Sequence, residues 1–194
     1  MIDIPKKIKA AGHNCAVASI NMVCMYWRKT RPTLKWSIPE DFESSEWNEF
    51  YQKGLKYIKS SGMPTDAIIR YLKNLNMPLK ARLEHLTGSY QLARLLNVNI
   101  PPIVLYNQEY YLKGEKGIGH AAILIDKTEE MFITFDSFFY PKCIHPISKK
   151  EFEEAWKTEQ NSTIIISPKS VKFRRAEIPS KTIDMYVATG VTQR

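Results

Sequence analysis

The sequence is poor in three things, and each scarcity excludes something. Only three cysteines occur among 194 residues, an odd and sparse count. That argues against a disulfide framework and for a reducing, cytoplasmic setting. No apolar run approaches the roughly 18 residues that a membrane span needs. The opening stretch 1–7, Met-Ile-Asp-Ile-Pro-Lys-Lys, lacks the apolar core of a secretory signal. There is no Cys-x-x-Cys and no His-Glu-x-x-His, and His13, Cys15 and His120 lack paired-ligand spacing. Neither a metal nor any other cofactor is therefore expected.

What is present suits a folded globular protein. The chain is 44% hydrophobic and 11% aromatic, and at this length it buries a core without staples. Length alone predicts one domain with an appendage. We place the domain at 1–167 and a basic C-terminal extension at 168–194. The net charge is +8, from 28 basic and 20 acidic residues, and half of it lies in that extension. There Lys169, Lys172, Arg174, Arg175, Lys181 and Arg194 face only Glu177 and Asp184. Lys6, Lys7 and Lys9 form a second cluster. No groove-reading motif accompanies the surplus, so it reads as local charge, and nucleic acid is not the expected partner. Ser148–Lys150 and Arg174–Arg175 read as solvated charge.

Patterning places the elements. Ile2–Pro5 is an extended lead, since Pro5 biases its predecessor away from helix. Cys15–Arg28 holds apolar residues throughout with no Gly or Pro, and Asn14 is its expected N-cap. The acidic stretch Pro39–Glu49 reads as a solvated loop or helix start. Helical periodicity marks Phe50–Ser60 and Thr65–Asn74, with Thr65 as cap after Gly62-Met63-Pro64, and Leu86–Leu96 reads as a further helix. Then the pattern changes. Ile103–Tyr106 is a strand, and His120–Asp126 and Met131–Asp136 are two strands joined by a turn at Lys127–Glu130. Ser148 opens a helix through Trp156 with the capping pattern Ser-Lys-Lys-Glu, and Ser162–Ser167 is a last strand. Helices first and strands second predict an α+β class with a mostly antiparallel sheet.

One constellation carries chemistry. A nucleophilic thiol needs a stabilised thiolate, a base within reach, and a group that orients the base. Cys15 falls at a helix N-terminus, where the macrodipole favours negative charge, near Lys6, Lys7 and Lys9. Cys24 lies inside the same apolar helix and reads as packing. Cys143 follows Pro141 in a loop without an evident base. His120 opens one strand and Asp136 closes the next, so an antiparallel hairpin makes them neighbours at one sheet edge. Gly117 and Gly119 allow close backbone approach before His120, with Gly119 a candidate for the substrate cleft. Taken singly each residue has a plainer account: His120 a satisfied strand-end histidine, Asp136 a turn residue, His13 a surface loop histidine. Tyr106–Tyr111 either lines a cleft or exposes tyrosines on a hairpin.

The letters from Cys15-Ala-Val-Ala-Ser-Ile-Asn-Met-Val-Cys-Met-Tyr-Trp, through Gly119-His120-Ala-Ala-Ile-Leu-Ile-Asp, to Phe135-Asp136-Ser137 resemble the bacteriocin-processing (double-glycine leader) family of papain-like cysteine peptidases. Gly62-Met63-Pro64-Thr65 and Asn99-Ile100-Pro101-Pro102-Ile103-Val104 extend the resemblance over most of 2–167. It implies a papain-like fold with an N-terminal helical lobe packed on the sheet. It also implies Cys15 as nucleophile, His120 as general base, Asp136 as orienter, and a peptide or small amide substrate. Three positions depart from the family. Lys9 stands six residues before the cysteine, where the family has an oxyanion-donating Gln. Ala16 stands for Gly, and Ser137 for Pro. Losing one oxyanion donor costs on the order of 10²–10³ in rate unless Lys9 or Asn14 substitutes. The reading is thus a cysteine peptidase or amidohydrolase. The alternatives are a catalytically degenerate peptide-binding module of the same fold, and a basic nucleic-acid-associated protein with an incidental thiol.

Overall fold

Ala16 to Trp27 are buried without a break, so the helix that carries them, α1 (Cys15–Thr30), is a central rod rather than a surface helix. The structure is a computed structural model that describes residues 1–10, 13–59, 63–73, 77–107, 119–171 and 180–181. Because α1 is enclosed, its polar atoms need partners inside. Trp27 Nε1 donates to the Ile166 carbonyl at 2.8 Å, Tyr26 Oη to the Asn99 carbonyl at 2.9 Å, and Ser19 Oγ to the Ala121 carbonyl at 3.3 Å.

Two further helices, α2 (Ser45–Leu55) and α3 (Thr65–Lys73), flank this rod. The expected helix over Phe50–Ser60 begins five residues earlier and stops at Leu55. Ser44 is extended and takes the N-cap position, Glu46 occupies the first turn, and Trp47 is driven into the core. Trp47 thus drew part of the acidic stretch into the helix. Gly54 closes α2 at a point of tight contact. A Cβ there would sit 2.5 Å from Val17 Cγ1 and 2.9 Å from the Tyr71 ring. Gly54→Ala is expected to lower stability, because overpacking costs about 1–3 kcal/mol against at most about 1 kcal/mol gained in helix propensity. Urea unfolding measures this, and an unchanged midpoint would contradict the contact.

The strands are β1 (Leu79–Leu86), β2 (Ile103–Asn107), β3 (Gly119–Lys127), β4 (Met131–Phe135), β5 (Ile144–Ser148), β6 (Ser162–Pro168) and β7 (Ser180–Lys181). They form one sheet in the order β5-β4-β3-β2-β6-β1-β7, with every described pairing antiparallel. The order corrects the simple division into helices first and strands second: β1 precedes helix α4 (Ser89–Asn97) and pairs with β6 from Leu79↔Pro168 to His85↔Ser162. The helix expected from Leu86 accordingly starts at Ser89. Its first turn is held by Gln91 Oε1, which accepts from the Thr87 and Gly88 backbone N–H groups.

The strand β5 also escaped the sequence pattern. It lies at the sheet edge, where Pro146 opposite Ile133 costs no ladder bond. Helix α5 (Lys149–Lys157) follows directly, with Ser148 Oγ accepting from the Glu151 N–H at 3.2 Å as the capping pattern predicts. Its buried Phe152 packs against Phe132 and Tyr106, with ring centroids 5.0 and 6.2 Å away. Within 168–194, Ser180 and Lys181 pair with Leu86 and His85, while Arg174 and Arg175 lie outside the described residues. The N-terminal lead runs beside β3, where the Ile2 N–H donates to the Ile125 carbonyl at 2.8 Å, next to the irregularity between Leu124 and Asp126. Among the described residues no helix is long and apolar enough to cross a membrane.

Candidate active site

The sheet register brings the site together. Tyr106 lies directly opposite His120 in the β2–β3 ladder, so both side chains leave the same face. Ile123 pairs with Phe135 in the next ladder, which sets Asp136 beside Ala122 and on the face of His120, two residues away. The hairpin geometry expected from the spacing of His120 and Asp136 is therefore present. His120 Nε2 lies 2.8 Å from Asp136 Oδ1 and 2.9 Å from Oδ2.

Asp136 is fully buried, and its carboxylate is held from two further directions. Tyr106 Oη donates to Oδ2 at 3.1 Å, and the Phe138 N–H donates to Oδ1 at 2.9 Å. Its own N–H donates to the Cys143 carbonyl at 2.7 Å. Donors on both oxygens leave the carboxylate no freedom to rotate away from the imidazole. Two rings enclose His120 edge-on. Tyr106 is 5.5 Å away and buried, and Phe138 is 6.0 Å away and exposed.

Cys15 begins α1, as the sequence predicts, and is half-buried, whereas Cys24 and Cys143 are buried. With Nε2 committed to Asp136, Nδ1 is the ring nitrogen left for the thiol. Burial alone would raise the Cys15 pKa. The hydrogen bond and charge of His120, with the backbone at Ala121 and Ala16, bring it below its ordinary 9.0. Burial likewise opposes a charged imidazole. Hydrogen bonds and charge from Asp136 and Cys15 outweigh it and push the His120 pKa up to about 10. Both shifts favour a thiolate–imidazolium pair. Burial pushes the other two thiols upward. Among the described residues no group of three His, Cys, Asp or Glu side chains is placed to hold a metal ion.

The remaining expected residues fall as follows. The lysine cluster takes no part in lowering the Cys15 pKa: Lys6 pairs with Glu43 at 2.8 Å and Lys7 donates to the Pro141 carbonyl at 3.2 Å. Asn14 holds the N-cap position without capping through its side chain; its Nδ2 donates instead to Tyr51 Oη at 2.7 Å. Lys9 is exposed, on a lead whose Ala10 N–H reaches the Ser137 carbonyl at 3.4 Å. His13 is exposed, in keeping with its reading as a surface histidine. Tyr106 neither lines an open cleft nor sits on the surface; it lies buried against the Asp136 carboxylate. Residues 108–111 and Gly117 lie outside the described residues. Gly119 is exposed opposite Asn107, and a Cβ there would come within 3.4 Å of the Glu159 carboxylate. The sequence reading missed Tyr106 as a positioning residue. The available signal was the strand pairing that sets it opposite His120, and that depends on where the chain re-enters the sheet.

No protein-family model matches the chain, and no curated protein matches it. Solved structures do. One is a double glycine motif protease from an AMS/PCAT transporter in complex with the leader peptide, at 16% identity and a TM-score of 0.54, covering 86% of this chain and 93% of that one. Another is a putative C39-like peptidase from Bacillus anthracis, at 12% identity and a TM-score of 0.60, covering 86% of this chain and 96% of that one. At such identities the likeness is one of fold: this chain shares the mixed helix and antiparallel-sheet architecture of C39-like peptidases.

Proposed function

We propose that this chain is a papain-like cysteine hydrolase that cleaves a peptide or amide bond by acyl transfer. The observation that carries the reading is the two-oxygen grip of Asp136 on His120 Nε2, supported by the lowering of the Cys15 pKa by the same imidazole. In this mechanism the Cys15 thiolate attacks the carbonyl carbon, and the carbonyl oxygen takes the negative charge. His120 then gives its Nδ1 proton to the amide nitrogen as the C–N bond breaks, leaving a thioester and a free amine. Water attacks the thioester while His120 takes back a proton, and release of the acid regenerates the thiolate. Asp136 stays ionised and holds the ring for both transfers. The oxyanion donor in this reading is Lys9 or, if its amide turns from Tyr51, Asn14. A peptide is the favoured substrate, since one structural neighbour was solved with a leader peptide bound. The reading takes 1–167 as the peptidase domain and 168–194 as its extension, and three free thiols agree with a cytoplasmic setting.

A second reading keeps the fold without turnover. It rests on the exposed Lys9 and on the Asn14 amide held by Tyr51. A peptide vinyl sulfone separates the two when intact mass is measured alongside hydrolysis of a fluorogenic peptide library. The hydrolase reading expects a single adduct, lost in Cys15→Ala, together with turnover. Lys9→Gln is expected to raise that turnover by about tenfold or more, because a fixed amide replaces a mobile ammonium. A peptide that binds without an adduct or turnover, even in Lys9→Gln, would leave the binding module.

A further inference from the structure

The large apolar side chains that remain in water are not spread evenly. Among the described residues they are Met1, Tyr90, Val98, Phe138, Tyr140 and Ile144, and half of them fall within 138–144, just after Asp136. An apolar side chain left in water forgoes the gain of burial, so such a concentration beside a candidate active site marks a contact surface.

Phe138 is the member that reaches the site. Its ring stands edge-on to the His120 ring with centroids 6.0 Å apart, yet the residue is 60% exposed. One edge on the imidazole leaves the rest of the ring open to an incoming group. Its position is fixed from several sides. The Phe138 N–H donates to Asp136 Oδ1 at 2.9 Å, and the Phe139 ring meets the Phe138 ring at 5.5 Å while stacking on His145 at 4.6 Å. The N-terminal lead holds the same segment, through the Ala10 N–H on the Ser137 carbonyl and Lys7 Nζ on the Pro141 carbonyl. A surface already in place takes up a side chain with little ordering cost.

The direction of proton transfer decides which part of a substrate arrives there. The imidazole gives its proton to the departing amide nitrogen, so the segment that leaves as the amine lies on the His120 side and the acyl segment lies towards Cys15. The first side chain of the leaving segment is then the one within reach of the Phe138 ring. We propose that Phe138 is a specificity-determining residue, selecting peptide bonds that are followed by a large apolar residue such as leucine, isoleucine or phenylalanine. The proposal rests on the hydrolase reading and narrows its substrate.

Incubating the full chain with an equimolar synthetic peptide library, and reading the new N-termini by mass spectrometry, tests it. The cuts that count are those lost in Cys15→Ala. Leucine, isoleucine and phenylalanine are expected at the new N-terminus about tenfold or more above glycine and serine, the scale on which an apolar pocket discriminates. Phe138→Ser is expected to flatten that preference, and Phe138→Arg to move it to aspartate and glutamate. Only ratios between peptides are compared, so a common effect of either variant on His120 cancels. If Phe138→Ser slows every cut equally and keeps the preference, the ring merely shields the imidazole and the proposal is overturned. Cleavage by the unaltered protein with no preference for the residue after the bond overturns this inference and leaves the hydrolase reading standing. Absence of any Cys15-dependent cleavage overturns both.

Discussion

Replacing His120 with alanine is expected to slow alkylation of Cys15 at neutral pH by about tenfold or more, because the thiolate fraction falls tenfold for each unit by which pKa exceeds pH. Without the imidazole, burial acts on Cys15 against only the two backbone groups at Ala121 and Ala16. Its pKa then returns toward or above the ordinary 9.0. The sign of the pH dependence follows from the two shifts. In the native protein the thiolate persists below the ordinary thiol range and is lost as pH falls through the lowered Cys15 value. It keeps a protonated partner until pH rises through about 10, where His120 gives up its proton. Labelling therefore has a long plateau, and general-acid action by His120 ends at its alkaline side. In His120→Ala a single inflection at the ordinary thiol range replaces the plateau. Iodoacetamide labelling followed by peptide mass spectrometry reads both profiles, with Cys24 and Cys143 as buried internal controls. If Cys15 labels identically in the two proteins, the imidazole does not govern the thiol. Peptide hydrolysis in His120→Ala is expected to fall by about 10⁴-fold or more, the scale on which a triad loses its base.

Asp136→Asn is the second large effect. The aspartate accepts from the imidazole with both oxygens, from Tyr106 Oη and from the Phe138 N–H. An amide of the same shape has one acceptor and one donor group, so at least one of these donors meets an N–H instead of an oxygen. The imidazole then either turns or takes the wrong tautomer, and hydrolysis is expected to drop by about 10⁴-fold, as when the orienting carboxylate is neutralised in other triads. Because the residue is fully buried, the unpaired donor also lowers stability by about 1–3 kcal/mol. Tyr106→Phe provides the contrast. It removes one donor and leaves the carboxylate charged, so the expected stability loss is about 1 kcal/mol and the Cys15 labelling profile keeps its plateau. Thermal unfolding and the labelling profile together check the pair. An Asp136→Asn protein that retains native hydrolysis would remove Asp136 from the orienting role.

The parts of the site that were legible in the sequence are those governed by short-range rules. Cys15 at the start of an uninterrupted apolar helix follows from composition and from Asn14 before it. His120 and Asp136 follow from the spacing of a hairpin, whose pairing depends only on a short turn. Ser148 before Glu151 reads directly as a cap. The missed elements are those whose local pattern suits two structures. Leu-Lys-Ala-Arg-Leu-Glu-His-Leu at Leu79–Leu86 satisfies a helix as well as a half-buried strand, and it becomes β1 because β6, far along the chain, presents a buried partner. Ile144–Ser148 contains a proline, which lowers any strand expectation, yet the sheet edge accommodates it.

Sequence alone determined the central helix, the hairpin that sets His120 beside Asp136, and the mixed class of the fold. Each depends on residues close in the chain or on one periodic pattern. Tertiary structure alone decided the rest. It buried Tyr106 against Asp136 by pairing β2 with β3, drew the Asn14 amide to Tyr51 on another helix, and sent Lys6 to Glu43 rather than to the thiol. A side chain with several possible partners is assigned by whichever the packed core brings within about 3 Å, and hydrophobic burial of distant segments sets that distance.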